Sequence, residues 1–153
     1  MVHNKKAAIM TNSSTPKALI LIIDDSVANI RILSKLLEKQ AEIIFAINGK
    51  DGISTAQHQK PDLVILDVAM PEMDGYTATK IIRSELKDTV KNIPVVAMTA
   101  HATSCEKDKC FTSGMDDYIC KPFEPEALKK IIYTLTLNGP ASYGALSEIK
   151  REI

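Results

Sequence analysis

The feature that most constrains this chain is a series of short, uninterrupted apolar runs separated by segments of helical periodicity. ALILII (18–23) opens the series. Six consecutive apolar residues leave no face for water, so the run predicts a strand buried on both sides. Ser26 follows as a helix cap, with Ile30, Leu33 and Leu37 recurring at helical spacing behind it. EIIFAI (42–47) reads as a second strand, ended by Asn48-Gly49. A weaker helix over about 50–59 is punctuated by Pro61, and DLVILD (62–67) is a third strand. MPEMDG (70–75) is a loop in which Asp74 caps a helix carrying Tyr76, Ile81, Ile82 and Leu86. Pro94 opens a fourth strand, PVVAM (94–98), and a helix over about 103–113 stops at Gly114. DYIC (117–120) is a short fifth strand, and Glu126 to Leu137 is a fifth helix closed by Asn138-Gly139-Pro140.

Strands that alternate with helices throughout predict an α/β domain whose parallel sheet is covered on both faces. A chain of 153 residues holds one such domain with short tails. We place the domain at 17–138, a flexible lead-in at 1–16 and a tail with weak helical patterning at 139–153. Nineteen basic residues balance nineteen acidic ones, so no global charge draws the chain to nucleic acid or anionic membrane. No apolar run approaches the ~20 residues of a membrane span, and the stretch after Lys5 and Lys6 is too short for a secretory signal. Cys105, Cys110 and Cys120 form neither a disulfide framework nor a C-x-x-C metal pair. Reduced thiols and a cytoplasmic location are the expectation.

Ligands of open parallel α/β sheets bind beyond the carboxyl ends of the strands. The first strand ends in Asp24-Asp25, the third in Asp67, the fourth at Met98-Thr99, and the fifth leads to Lys121-Pro122. Singly, each is ordinary: a cap, a solvated acid, a loop start. Together they bring three carboxylates, a hydroxyl and an ammonium to one edge. Three crowded carboxylates raise one another's pKa values unless a cation compensates. Magnesium, which takes one or two carboxylates, several waters and a phosphate, suits the Asp24, Asp25, Asp67 set better than calcium does; manganese is the substitute. Lys121 is a point charge for a phosphoryl oxygen, and an Asp carboxylate can itself become an aspartyl-phosphate. His3 and His58 read as solvated, His101 lacks the partner ligands of a metal site, and Met70, Met73, Met98 and Met115 read as core filler. Cys120 adjoins Lys121 but reads as an ordinary thiol.

The Asp pair, LDVAMPEMDG, VVAMTAHA and GMDDYICKPF resemble the receiver domain of two-component response regulators, most of all receivers of hybrid histidine kinases. The resemblance runs from about Ala18 to Leu137. It implies a flavodoxin-like (βα)5 fold, a doubly wound five-stranded parallel sheet of order 2-1-3-4-5. It implies Asp67 as phosphoacceptor, Asp25 as direct magnesium ligand, Asp24 acting largely through water or hydrogen bonds, and the Ala69 backbone carbonyl as third protein ligand. Thr99 matches the switch hydroxyl, Tyr118 the aromatic switch, and Lys121 the phosphate ligand before a cis Lys121–Pro122 bond. The implied donor is a phosphohistidine on a histidine kinase or phosphotransfer protein. Slow autodephosphorylation resets the domain, and a downstream protein reads the surface of the fourth helix, fifth strand and fifth helix. Ala69 and His101 depart from the commonest residues at positions lining the approach of water, which bears on the lifetime of the phosphorylated state.

Three rivals belong to other classes. A dehalogenase-type phosphatase needs a second Asp two residues beyond its nucleophile, where Ala69 stands. A flavin site needs a Ser/Thr/Gly-rich phosphate loop after the first strand, where two carboxylates stand instead. A receiver fold used as a non-phosphorylated docking module is the serious alternative. No output region follows the fifth helix in these residues, so the module reads as a stand-alone regulator or a receiver of a larger hybrid kinase, with the motifs favouring the second.

Overall fold

The structure, a computed structural model, describes residues 17–101 and 103–137. The expected lead-in and tail lie outside the described residues. The elements in chain order are β1 (Ala18–Ile23), α1 (Val27–Leu37), β2 (Ala41–Ala46), α2 (Gly49–Gln59), β3 (Leu63–Asp67) and α3 (Gly75–Glu85). There follow a 3-10 turn (Asp88–Asn92), β4 (Val95–Thr99), α4 (Ser104–Thr112), β5 (Asp117–Cys120) and α5 (Pro125–Leu137). All strand pairs are parallel, in the order β2-β1-β3-β4-β5. This is the (βα)5 topology expected from the sequence.

The apolar runs divide by alternation, since successive side chains of a strand point to opposite faces. Ile20, Ile22, Leu63, Ile65, Val96 and Met98 face the helices α1 and α5, packing with Leu33, Leu37, Leu128 and Leu135. Leu21, Ile23, Val64, Leu66, Val95 and Ala97 face the other layer, with Ala56 of α2, Ala78 and Ile82 of α3, and Cys110 of α4. Two cores thus share one sheet.

Boundaries moved by a residue where backbone pairing overrides side-chain pattern. Asp62 falls outside β3, and its carboxylate accepts the Leu19 N–H at 2.8 Å. The 3-10 turn was not predicted. It buries Val90 and leads into the buried Ile93, and five residues are too few to show a helical period. Of the residues expected on the third helix, Tyr76, Ile81 and Ile82 lie within α3 and Leu86 caps its end; Tyr76 and Leu86 are half-buried against the core and Ile82 is fully buried. The fully buried side of α3 is Gly75, Ala78, Thr79 and Ile82, mostly small residues that let the helix approach the sheet. Behind it, Arg83 donates to the carbonyls of Lys91, Ile93 and Gly114 at 2.6 to 2.9 Å and to the Asp116 carboxylate at 3.0 Å. One guanidinium therefore ties α3 to the two loops that precede β4 and β5. Gly114 ends α4 at φ +103°, a conformation that suits glycine.

Adjacent positions on α1 test the packing register. Leu33 has no exposed surface, whereas Ile32 is 57% exposed. Leu33→Ala is expected to destabilise the fold by about 3 kcal/mol, and Ile32→Ala by less than about 1 kcal/mol. Urea unfolding followed by circular dichroism measures both.

Candidate functional site

Parallel strands end at one edge, and the helices that follow them begin there. Ser26, Asn48, Asp74 and Thr103 each accept a backbone N–H three residues on, capping α1, α2, α3 and α4. Donor-rich helix N-termini therefore gather where the acidic residues stand.

Asp24 follows β1 with no exposed surface, Asp25 beside it is exposed, and Asp67 ends β3 at 4% exposure. Each offers a carboxylate oxygen, and these atoms all lie within 4.8 Å of one another. Lys121, just after β5, reaches across to them. Its Nζ stands 3.3 Å from Asp67 Oδ1 and 3.9 Å from Asp24 Oδ2. Asp67 Oδ1 also accepts the Ala69 N–H at 3.2 Å. The Lys121–Pro122 bond is cis, as the resemblance implied.

Burial raises the Asp24 carboxyl above the usual carboxylate range; the Asp67 charge pushes the same way, while the Ser26 N–H, Lys121 and Asn29 oppose it. The donor set is three hard carboxylate oxygens on one concave edge. That set fits a hard divalent cation and the cationic Lys121 fits an anion beside it.

The loop after Asp67 is locked to the acceptor strand. A Cβ on Gly75 would stand 2.5 Å from the Asp67 carbonyl oxygen and 2.8 Å from the Val68 Cα, so only glycine fits there. Glu72 within the loop takes φ +67°, in the left-handed region.

The structure brings Asp24, Asp25, Asp67 and Lys121 together. Thr99 stands beside Lys121, whose N–H its carbonyl accepts at 2.8 Å, while the Thr99 and Tyr118 side chains are engaged with other partners. The Thr99 hydroxyl donates to the His101 carbonyl at 2.9 Å and accepts the His101 N–H at 3.1 Å. The half-buried Tyr118 ring packs edge-on against Phe111, centroids 6.1 Å apart, with Lys107 Nζ 5.5 Å from its centre. His101 is exposed, and Met70, Met98 and Met115 are core residues as expected.

Two features escaped the sequence reading. Asn29 donates its amide to Asp24 at 3.2 Å. The Tyr76 hydroxyl bonds the Glu106 carboxylate, joining the first turns of α3 and α4, and Lys109 Nζ lies 5.0 Å from the Tyr76 ring centre. Neither has a signal in a single sequence, because both are contacts between elements.

The edge defines a class: an α/β module with an acidic, lysine-bridged cleft at the carboxyl ends of its strands. The chain belongs to the response regulator receiver domain family, whose model matches residues 20–133. It is 40% identical over 131 residues to hybrid signal transduction histidine kinase G of Dictyostelium discoideum, covering 84% of this chain and 4% of that protein. It is 39% identical over 127 residues to the sensor protein GacS of Pseudomonas syringae pv. syringae, covering 80% of this chain and 14% of that protein. The chain thus spans a small part of these relatives. Among solved structures, the chemotaxis response regulator CheY4 of Vibrio cholerae superposes with a TM-score of 0.72 at 28% identity, covering 78% of this chain and 99% of that one. The receiver domain of a sensor histidine kinase from Pseudomonas aeruginosa PAO1, with magnesium coordinated in its active site cleft, gives 0.69 at 28% identity, covering 76% and 94%. The chain is a receiver domain of two-component phosphorelay signalling, and no helix among the described residues is long and apolar enough to cross a membrane.

The raised Asp24 carboxyl means that its charge opposes folding above its folded-state pKa and ceases to do so as pH falls through it. Asp24→Asn is therefore expected to stabilise the metal-free fold at pH 7. The gain shrinks as the pH is lowered and Asp24 takes up its proton. Urea midpoints in EDTA at descending pH measure it. Burial also pushes the Cys110 thiol up to about 11, so at pH 8 the exposed Cys105 is expected to react with a thiol reagent well before Cys110.

Proposed function

We propose that this receiver domain takes a phosphoryl group from a phosphohistidine donor onto Asp67. One observation carries the reading: a nearly buried carboxylate has an ammonium 3.3 Å away and two further carboxylates whose oxygens come within 4.8 Å. An isolated structural ion pair needs no such acidic company.

In the reaction, a carboxylate oxygen of Asp67 attacks phosphorus. A P–O bond forms, the P–N bond to the donor imidazole breaks, and the electron pair returns to that nitrogen. Lys121 holds a phosphoryl oxygen by charge. The Ala69 N–H and the tight Gly75 approach keep Asp67 from turning away. Asp24, Asp25, Asp67 and the Ala69 backbone carbonyl would hold magnesium, or manganese in its place. When bound, the cation neutralises charge on the phosphoryl oxygens.

Phosphorylation then shifts a population. The Thr99 hydroxyl exchanges its His101 contacts for the phosphoryl group, and Tyr118 follows, altering the α4–β5–α5 surface read by a downstream protein. Water resets Asp67 slowly. The signalling unit spans 17–138, with 1–16 and 139–153 as flanking segments, and works in the cytoplasm with a histidine kinase or phosphotransfer protein as donor.

Incubation with acetyl phosphate followed by intact mass tests this. We expect a gain of one phosphoryl group that requires magnesium and is absent in Asp67→Asn, with the fold retained. Persistent absence of the gain with acetyl phosphate and with phosphorylated histidine donors would establish the docking-module reading instead. Stoichiometric phosphorylation of Asp67→Asn would move the acceptor elsewhere.

A further inference from the structure

Asp24 is the most buried of the three carboxylates, and both of its oxygens are gripped from the first turn of α1. Oδ1 accepts the Ser26 N–H at 2.9 Å, and Oδ2 accepts the Asn29 amide at 3.2 Å. The two donors are themselves linked, since the Ser26 hydroxyl accepts the Asn29 N–H at 3.2 Å. Ser26 grips through its backbone, so that contact survives substitution of its side chain. The Asn29 amide is the part of the grip that a side chain supplies. Lys121 Nζ approaches the same oxygen, but at 3.9 Å it is too far for a hydrogen bond.

We propose that Asn29 is a positioning residue for the acidic centre: its amide holds the Asp24 carboxylate toward Asp25 and Asp67 and out of the grasp of Lys121. The proposal rests on reading the three carboxylates as a cation site. A neutral amide orients a carboxylate without cancelling its charge. An ammonium orients it and cancels the charge as well. Without the amide, Asp24 Oδ2 closes on Lys121 Nζ, and the resulting ion pair withdraws negative charge from the cluster. It also draws Lys121 away from Asp67, where it now stands at 3.3 Å. Groups that orient metal ligands commonly change affinity by ~10–100-fold when removed.

Manganese binding, followed by electron paramagnetic resonance on the full chain, tests the assignment without reference to phosphorylation. Asn29→Ala is expected to weaken binding about tenfold, while the urea midpoint in EDTA changes little. Ile32→Ala, elsewhere on α1, is expected to leave affinity unchanged. The decisive comparison repeats Asn29→Ala in a Lys121→Met background. If Lys121 captures the freed carboxylate, the loss there falls below about twofold, a coupling that a merely structural role would not produce. Unchanged manganese affinity in Asn29→Ala, or an equal loss in both backgrounds, overturns the proposal. Failure of the unsubstituted protein to bind manganese at all overturns the cation reading, and the proposal with it.

Discussion

A parallel sheet with apolar side chains on both faces has to be covered on both faces, and most of this molecule follows from that requirement. Ile20 to Ile23, Leu63 to Leu66 and Val95 to Met98 have no exposed surface. Charged residues have no place inside such strands, because burying an uncompensated charge is costly. They are displaced to the strand ends. Parallel pairing then sends every strand out at the same edge, and each chain crossing brings a helix N-terminus back to it. The acidic cleft is thus a consequence of topology as much as of residue choice.

Charge at that edge is held in imperfect balance. Lys121 is the cation seen near both Asp67 and Asp24, and burial keeps Asp24 reluctant to ionise. Charge that opposes the fold is also charge available to bind a ligand. Functional sites commonly sacrifice stability in this way. Backbone contacts and small residues supply part of the support of the site, beside the Asn29 amide. Ser26 N–H holds Asp24, and Gly75 seats α3 against the Asp67 carbonyl.

The two helices that flank the cleft on the β3–β4 side are anchored differently. Arg83 fastens α3 with four hydrogen bonds to loops and to Asp116. By contrast, Cys110 is the buried residue of α4, and its attachments include polar and aromatic ones: Glu106 and Lys109 to Tyr76, Lys107 and Phe111 to Tyr118. A helix with little buried apolar surface costs little to displace. That contrast gives the proposed switch a physical basis, since Thr99 lies just before α4 and Tyr118 packs against it.

Local chemistry made much of the fold legible in advance. ALILII read as a buried strand, Ser26 and Asp74 read as local caps, and Gly114 stops a helix by its own conformational freedom. Alternation of strand and helix then determined the layers, and strand-end residues marked Asp24, Asp25, Asp67, Thr99 and Lys121 for one edge. Contacts between elements were not legible. The side-chain amide of Asn29 on Asp24, the Tyr76–Glu106 bond, the reach of Arg83 to three carbonyls and the small-residue face of α3 depend on distances between segments. A single sequence carries periodicity along the chain, so by itself it determined which elements form and at which edge their polar ends meet. Only the tertiary structure decided how closely those ends approach and which donor holds which carboxylate, because hydrogen bonds and ion pairs are set by tenths of an ångström across space.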